Sequence, residues 1–340
     1  MPRTIVYVSC AAEAQVVSFR LDNDTGALTP FARATVPGPL DPPPVGMALA
    51  LSPDHRVLYA VCRNPPWPVT AFAIAADGAL SVIGSGRLAH AMHYIATDRT
   101  GRFLFGASFA GALLSVNPIG ADGVPGEPLQ VLATPPKAHS ILPDPDNRAV
   151  YAAVLGGDVI LRQEFDPVTG RLATPATPAA HTAPGAGPRH LRFARGGALL
   201  YCINELDGTV NAYARDTATG TLSALQSVPL APPGTTPAAA DLRLTPDERF
   251  LYASERTGNL LAGFRLRPDG TLDALGTVPT EPEVRGFAID PRGRWLICAS
   301  HTTGCVTVYG IDARSGTLRR RVACQAGANA NWIEIIDRPG

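Results

Sequence analysis

The sequence predicts an all-β fold, a seven-bladed β-propeller with four antiparallel strands in each blade. Three observations lead there: a block that recurs along the whole chain, apolar alternation of period two inside it, and a turn-rich composition of 33 Gly and 33 Pro in 340 residues. The block reads Pro-Asp-x-Arg-x-Leu-Tyr-Ala, then an alternating apolar strand, then Asp-Gly-x-Leu. Copies fall at 52–61, 97–108, 143–154, 193–204, 245–254 and 290–300, with a partial copy at 5–10. Their anchor residues are Tyr7, Tyr59, Phe105, Tyr151, Tyr201, Tyr252 and Ile297, spaced 45 to 52 residues apart. A period of that length, with room for about four short strands, belongs to a propeller blade. Helical repeats would instead place apolar residues at i, i+3 and i+4.

Each element of a blade has its own signal. The Leu-Tyr-Ala run is a buried strand, and the turn before it opens with Pro-Asp or a variant. A second turn closes each copy, at 24–28, 76–80, 121–125, 168–172, 218–222, 268–272 and 314–318. Asp-Gly or Thr-Gly between two alternating segments is a hairpin signature. The first copy lacks its opening strand, while Asn331-Trp-Ile-Glu-Ile-Ile336 has no copy after it. One C-terminal strand joining three N-terminal strands therefore closes the ring and hides two sheet edges that would otherwise stay open. The expectation is one propeller domain over residues 1–340.

Composition narrows the partner. Basic and acidic residues balance, 29 against 29, and nucleic acid or an anionic membrane would call for a basic surface. No apolar run approaches the roughly 18 residues of a membrane span. The opening Met-Pro-Arg-Thr-Ile-Val-Tyr is not a signal peptide, so the expected address is the cytoplasm. Cysteines 10, 62, 202, 298, 305 and 324 form no CxxC and read as buried free thiols. What remains is a small-molecule protein, a monomer or weak oligomer, with no cofactor and no metal site.

Register converts the repeat into a site. Twelve residues before each anchor, just ahead of the channel-lining strand, stand Met47, His93, His139, Arg189, Ala240 and Arg285; the terminal strand contributes Asn331. Four residues after each anchor stand Ala11, Arg63, Phe109, Leu155, Glu205, Arg256 and His301. Adjacent strands are antiparallel, so both rings line one mouth of the channel. That mouth collects Glu205, three histidines and four arginines. An arginine excess suits an anionic guest, a carboxylate or a phosphate ester, gripped by guanidinium forks. Arginine stays protonated, so proton transfer falls to His139, His93 or Glu205.

A base beside arginines that steady an oxyanion is sufficient to hydrolyse a lactone. The same parts also serve proton transfer at carbon next to a carboxylate. In the hydrolytic version His139 or Glu205 activates water and Arg189 and Arg285 hold the anion and the oxyanion. His93, Arg256, Arg63, His301 and Asn331 bind substrate. His190 is expected on the opposite strand face from Arg189, in a structural role, with Asp241 in the same register. Trp332 reads as core. There is no GxSxG elbow, HExxH or P-loop.

The segments Gly185-Ala-Gly-Pro-Arg-His190, Asn204-Glu-Leu206, Ala239-Ala-Asp-Leu242 with Thr245-Pro-Asp247, Glu255-Arg-Thr257 and Arg285-Gly-Phe287 resemble the bacterial propeller-type 6-phosphogluconolactonases. The same family includes the fungal-type 3-carboxy-cis,cis-muconate lactonizing enzymes. The resemblance covers nearly the whole chain and implies a seven-bladed propeller with metal-free activity. It places the family's site residues on His139, Arg189, Glu205 and Arg285. Ala138 replaces a family cysteine, Gly327-Ala-Asn-Ala330 departs from a Gly-x-Gly-Pro pattern, and the Pro-rich Arg63–Pro68 insert is expected over the entrance. The leading expectation is a lactonase for an anionic sugar lactone of the 6-phosphogluconolactone type. Its rivals are a cycloisomerase of the muconate lactonizing type and a non-enzymatic binding platform.

Overall fold

Alternating apolar residues build the strands, and burial shows how they are layered. A computed structural model describes residues 3–230, 234 and 236–338, and in it the chain forms seven antiparallel sheets set in a ring. Six take four consecutive segments each, from the blade that opens at Leu49–Leu51 to the one that ends at Leu318–Gln325. The blade opening at Ala138–Pro143 also pairs a two-residue strand, Arg171–Leu172, against its third strand. The seventh is the expected composite: Ala330–Arg338 lies innermost, antiparallel to Arg3–Cys10, followed by Gln15–Leu21 and Leu28–Thr35.

The second strands of the blades are sandwiched on both faces by neighbouring sheets. Phe103–Ser108, Ala149–Val154, Leu199–Asn204, Phe250–Glu255 and Trp295–Ser300 are buried at every residue. That explains why Leu-Tyr-Ala runs are continuously apolar and not alternating. The outer strands, such as Leu80–Arg87 and Leu222–Pro229, keep one face towards solvent and alternate.

Both recurring pieces of the repeat do one job together. The anchor tyrosine of a blade donates its hydroxyl to the glycine carbonyl in the turn between the third and fourth strands of the next blade. Tyr7 reaches Gly78 at 2.9 Å, Tyr59 Gly123 at 3.1 Å, Tyr151 Gly220 at 2.6 Å, Tyr201 Gly270 at 2.9 Å and Tyr252 Gly316 at 2.7 Å. Gly270 has φ +88°, a left-handed conformation that a side chain resists, and a Cβ there would come within 2.5 Å of Leu199. Where the anchor is Ile297, Trp295 substitutes: its ring underlies Gly26 and its Nε1 donates to the Asn23 carbonyl at 3.2 Å. Phe105 has no hydroxyl, and there the ring of Phe103 packs beneath Gly170.

Outside the Tyr7 and Tyr201 blades, the turn before the anchor is tied by its first polar side chain. One carboxylate oxygen of Asp98 accepts the main-chain N–H of Arg102 and Phe103, and Asp290 does the same for Arg294 and Trp295. Ser52 and Thr245 perform this with hydroxyls. Replacing Tyr201 by Phe leaves the buried Gly270 carbonyl short of its partner. The expected loss is about 1–3 kcal/mol of stability, read as a lower denaturant midpoint at unchanged slope.

Candidate functional site

Among the described residues, five of the seven inner strands carry a bulge near their start, and the bulge falls at the position that register singled out. In the composite blade Ser9 pairs with Trp332 and Cys10 with Ala330, leaving Asn331 extra. His139, Arg189 and Arg285 are left over in the same way in their blades, and Ala240 with Asp241 in another. A bulge inserts a residue, twists the strand and re-aims its side chain, here towards the axis. Register placed this ring just ahead of the inner strands. His93 does precede its strand, but His139, Arg189, Ala240, Arg285 and Asn331 lie inside theirs.

An open-mouthed cavity of about 430 Å³ results, lined by Arg63, His93, His139, Arg189, Arg285 and Asn331, together with Ala48, His190 and Trp332. Six of the nine predicted residues therefore share one small space. Glu205 and Arg256 stand directly behind. Arg189 Nε donates to Glu205 Oε2 at 2.7 Å, and Arg256 Nη2 to Glu205 Oε1 at 3.0 Å. His301 sits on the rim: Nε2 is 3.2 Å from the Val45 carbonyl and Nδ1 3.3 Å from Glu283, which also lies 3.5 Å from Arg285. Arg63 anchors through Nε to the Gly46 carbonyl at 2.7 Å; a Cβ on Gly46 would collide with the guanidinium, so the loop needs glycine for this close approach. The Pro-rich insert braces that loop from the side, with Asn64 donating to the Pro39 and Pro42 carbonyls and Trp67 stacked on His90.

Charge in the cavity is unbalanced. Burial, with Arg285 and Arg189 nearby, brings Arg63 down to about 10. Burial also brings Arg189 down to about 10, partly opposed by Glu205. Both remain cationic at neutral pH. Burial pushes Glu205 up, but Arg189 and Arg256 more than reverse it, leaving the carboxyl below its usual range. The imidazoles respond in the opposite sense. Burial and then Arg63 hold His93 at about 3, and burial and then Arg189 hold His190 at about 3. His139 is also held well below its ordinary value, by burial and then Arg189.

The hydrogen bonds fix tautomers. His93 Nδ1 accepts the Phe109 N–H at 3.2 Å, which leaves its proton on Nε2. His190 Nδ1 is 2.8 Å from Asp241 Oδ1 and donates to it, which leaves a lone pair on Nε2. His139 Nδ1 is buried with no partner.

His190 and Asp241 are what register reasoning missed. Strict alternation would turn His190 away from Arg189, but the bulge interrupts it and both side chains line the cavity. The same irregularity lies at Asp241, and two polar residues in one register of neighbouring blades were the available signal. Trp332 is buried as expected, yet its ring forms the cavity floor and separates it from a larger hollow of about 850 Å³. That hollow opens at the far ends of the inner strands. Its Arg243 is committed through Nε to Asp241 and the Phe287 carbonyl, so the chemistry belongs to the smaller cavity.

Comparison with known proteins matches residues 5–335 to the family described as "Lactonase, 7-bladed beta-propeller". A 6-phosphogluconolactonase of Pectobacterium carotovorum is 37% identical over 335 residues, 98% of each chain. One of Serratia proteamaculans is 36% identical over 98% of this chain and 99% of its own. Among solved structures, the periplasmic gluconolactonase of Pseudomonas aeruginosa superposes with a TM-score of 0.90 at 26% identity, over the whole of both chains.

Nitrogen-15 spectra of labelled histidine should show His190 neutral with its proton on Nδ1, and His93 neutral with its proton on Nε2, from pH 8 to 5. Stability carries the matching sign. Below about pH 6.5 the unfolded chain protonates His190 and the folded chain does not. Stability therefore falls as pH drops from there towards 3, by about 2 kcal/mol at pH 5 for this residue, measurable by denaturation at each pH.

Proposed function

Because the chain belongs to the seven-bladed β-propeller lactonase family, we propose that it hydrolyses an anionic sugar lactone of the 6-phosphogluconolactone type. The observation that carries this is the surplus of cations: Arg63, Arg189 and Arg285 face one cavity, while Glu205 behind it is already shared by two arginines and Glu283 at the rim is shared by Arg285 and His301. Among the described residues Arg63 has no carboxylate within ion-pair reach. An uncharged lactone gives such a cluster nothing to neutralise, whereas a phosphate ester accepts several guanidinium N–H bonds at once.

Hydrolysis needs water delivered to the lactone carbonyl, a proton acceptor for that water, and donors for the oxyanion. The water oxygen bonds to the carbonyl carbon as the π pair moves to oxygen. Collapse then breaks the ring C–O bond, and the ring oxygen takes up the proton. In this reading Arg189 and Arg285 donate to the oxyanion and the anionic group, His93 adds its Nε2–H, and Arg63 and Asn331 hold the far side of the substrate. Glu205 and Arg256 keep the Arg189 fork aimed. Both oxygens of Glu205 are already engaged by arginine N–H groups, so water activation falls to an imidazole. His301 acts from the rim through Glu283. The relatives' names favour hydrolysis over lactonization or a binding platform.

A cytoplasmic site of action is part of the same proposal; six free cysteines, four of them buried, suit a reducing compartment. Among the described residues no helix is long and apolar enough to cross a membrane.

Acid release in weak buffer should exceed spontaneous opening for 6-phosphoglucono-1,5-lactone, and by more than for glucono-1,5-lactone. Arg285→Met should lower kcat/KM on the phosphorylated lactone by about 100-fold or more, at unchanged melting temperature. No acceleration on either lactone, with cyclisation of a muconate-type acid instead, would refute the hydrolase.

A further inference from the structure

The cavity holds two imidazoles of opposite polarity: His93 presents Nε2–H, and His190 presents an Nε2 lone pair. We propose that His190, oriented by Asp241, is the proton acceptor for the hydrolytic water, an inference that rests on the lactonase reading above. Asp241 is a positioning residue, since it touches His190 and not the cavity.

The choice among candidate bases is decided by what happens to the group once it carries the proton. A protonated His139 would meet Arg189, His190, His93 and Arg63 with no acid in contact. Glu205 has both oxygens on arginines. Only His190 has a buried carboxylate against its far nitrogen, with 2% and 1% of the two side chains exposed. The groups facing it are Arg189 and Arg192 from its own strand, Asp241 from the next blade, His139 from the preceding blade, and Tyr94 edge-on from another inner strand. Asp241 also binds Arg243 at 3.0 Å and Arg192 at 3.4 Å, so it stays ionised despite its burial.

Arg189 is the one obstacle on the cavity side. Its Nη1 lies 3.3 Å from His190 Nε2, long for a hydrogen bond, and the nearer partner of that nitrogen is the Ala240 carbonyl. A water can replace the longer contact. Burial is the larger cause that keeps His190 neutral and Arg189 the second; the substrate's anion offsets the Arg189 part at the moment a proton has to be accepted. The step balances without a co-reactant. The water O–H bond breaks, its proton moves to Nε2, the new C–O bond forms, and the imidazolium returns the proton to the ring oxygen as the ester bond breaks.

The test uses the full chain with 6-phosphoglucono-1,5-lactone, with folding of each variant checked by circular dichroism and melting. His190→Gln should lower kcat by about 100-fold or more with little change in KM. In His190→Gly, added imidazole should restore turnover in proportion to its free-base concentration, a response that a packing role would not give. Asp241→Asn should lower kcat and move the acid limb of kcat/KM to lower pH, because the carboxylate no longer stabilises the imidazolium. A folded His190→Gln with wild-type kcat, or a folded His190→Gly that imidazole leaves unchanged, would overturn the assignment while leaving the lactonase reading intact. A wild-type protein inactive on phosphorylated and unphosphorylated lactone alike would overturn both.

Discussion

The hydroxyl of one tyrosine bonded to the glycine carbonyl of the next blade is the contact on which the ring depends. A blade alone is a four-stranded sheet with two apolar faces, and stacking against neighbours is the only way to bury both. Hydrophobic contact has no direction, so it does not by itself fix how far one sheet slides over the next. The tyrosine–glycine bond does, since a buried hydroxyl demands a partner and the turn supplies one at a single position. Five such pins, one of them in the composite blade, with a tryptophan in a sixth blade and the Phe103 ring in the seventh, hold the start of every inner strand at one height around the axis. A slip of one residue would move Arg189, His139 and Arg285 out of the same plane.

That rigidity permits an electrostatic arrangement that a softer fold would relax. Three guanidinium groups around a small cavity repel one another, and burial lowers two of them further. Glu205 behind the cavity is shared with Arg256 and Glu283 at the rim is shared with His301, so the site remains short of negative charge until an anion enters. Burial first and then the same excess depress the neighbouring imidazoles and keep them neutral, while Phe109 and Asp241 fix which nitrogen carries the proton. One set of charges thus binds an anion and prepares the groups that act on it, in a protein whose total charge is zero.

Much of this was legible in the chain. The anchors Tyr7, Tyr59, Tyr151, Tyr201 and Tyr252 and their glycine turns are local signals, and their spacing determined blade number and closure. Arg63, His93, His139, Arg189, Arg285 and Asn331 were found because equivalent positions in repeats occupy equivalent places around an axis. The His190–Asp241 pair was not found, because alternation was assumed to hold through Arg189 and His190. Whether a strand bulges there depends on the hydrogen bonds of its partner strand, and these do not appear in the sequence of either strand alone. His301 shared the register of the cavity residues yet sits on the rim, drawn to Glu283 and the Val45 carbonyl by neighbours its register could not specify.

Sequence by itself therefore determined architecture and cast: seven blades, a ring closed by the last strand, and the arginines and histidines brought to one mouth. These follow from periodicity, which a linear chain states in full. Tertiary structure alone decided which acid meets which base: Glu205 with Arg189 and Arg256, Asp241 with His190. Proton affinity and tautomer are properties of contacts a few ångströms long between residues some 50 positions apart in one case, and such contacts exist only after the blades have docked.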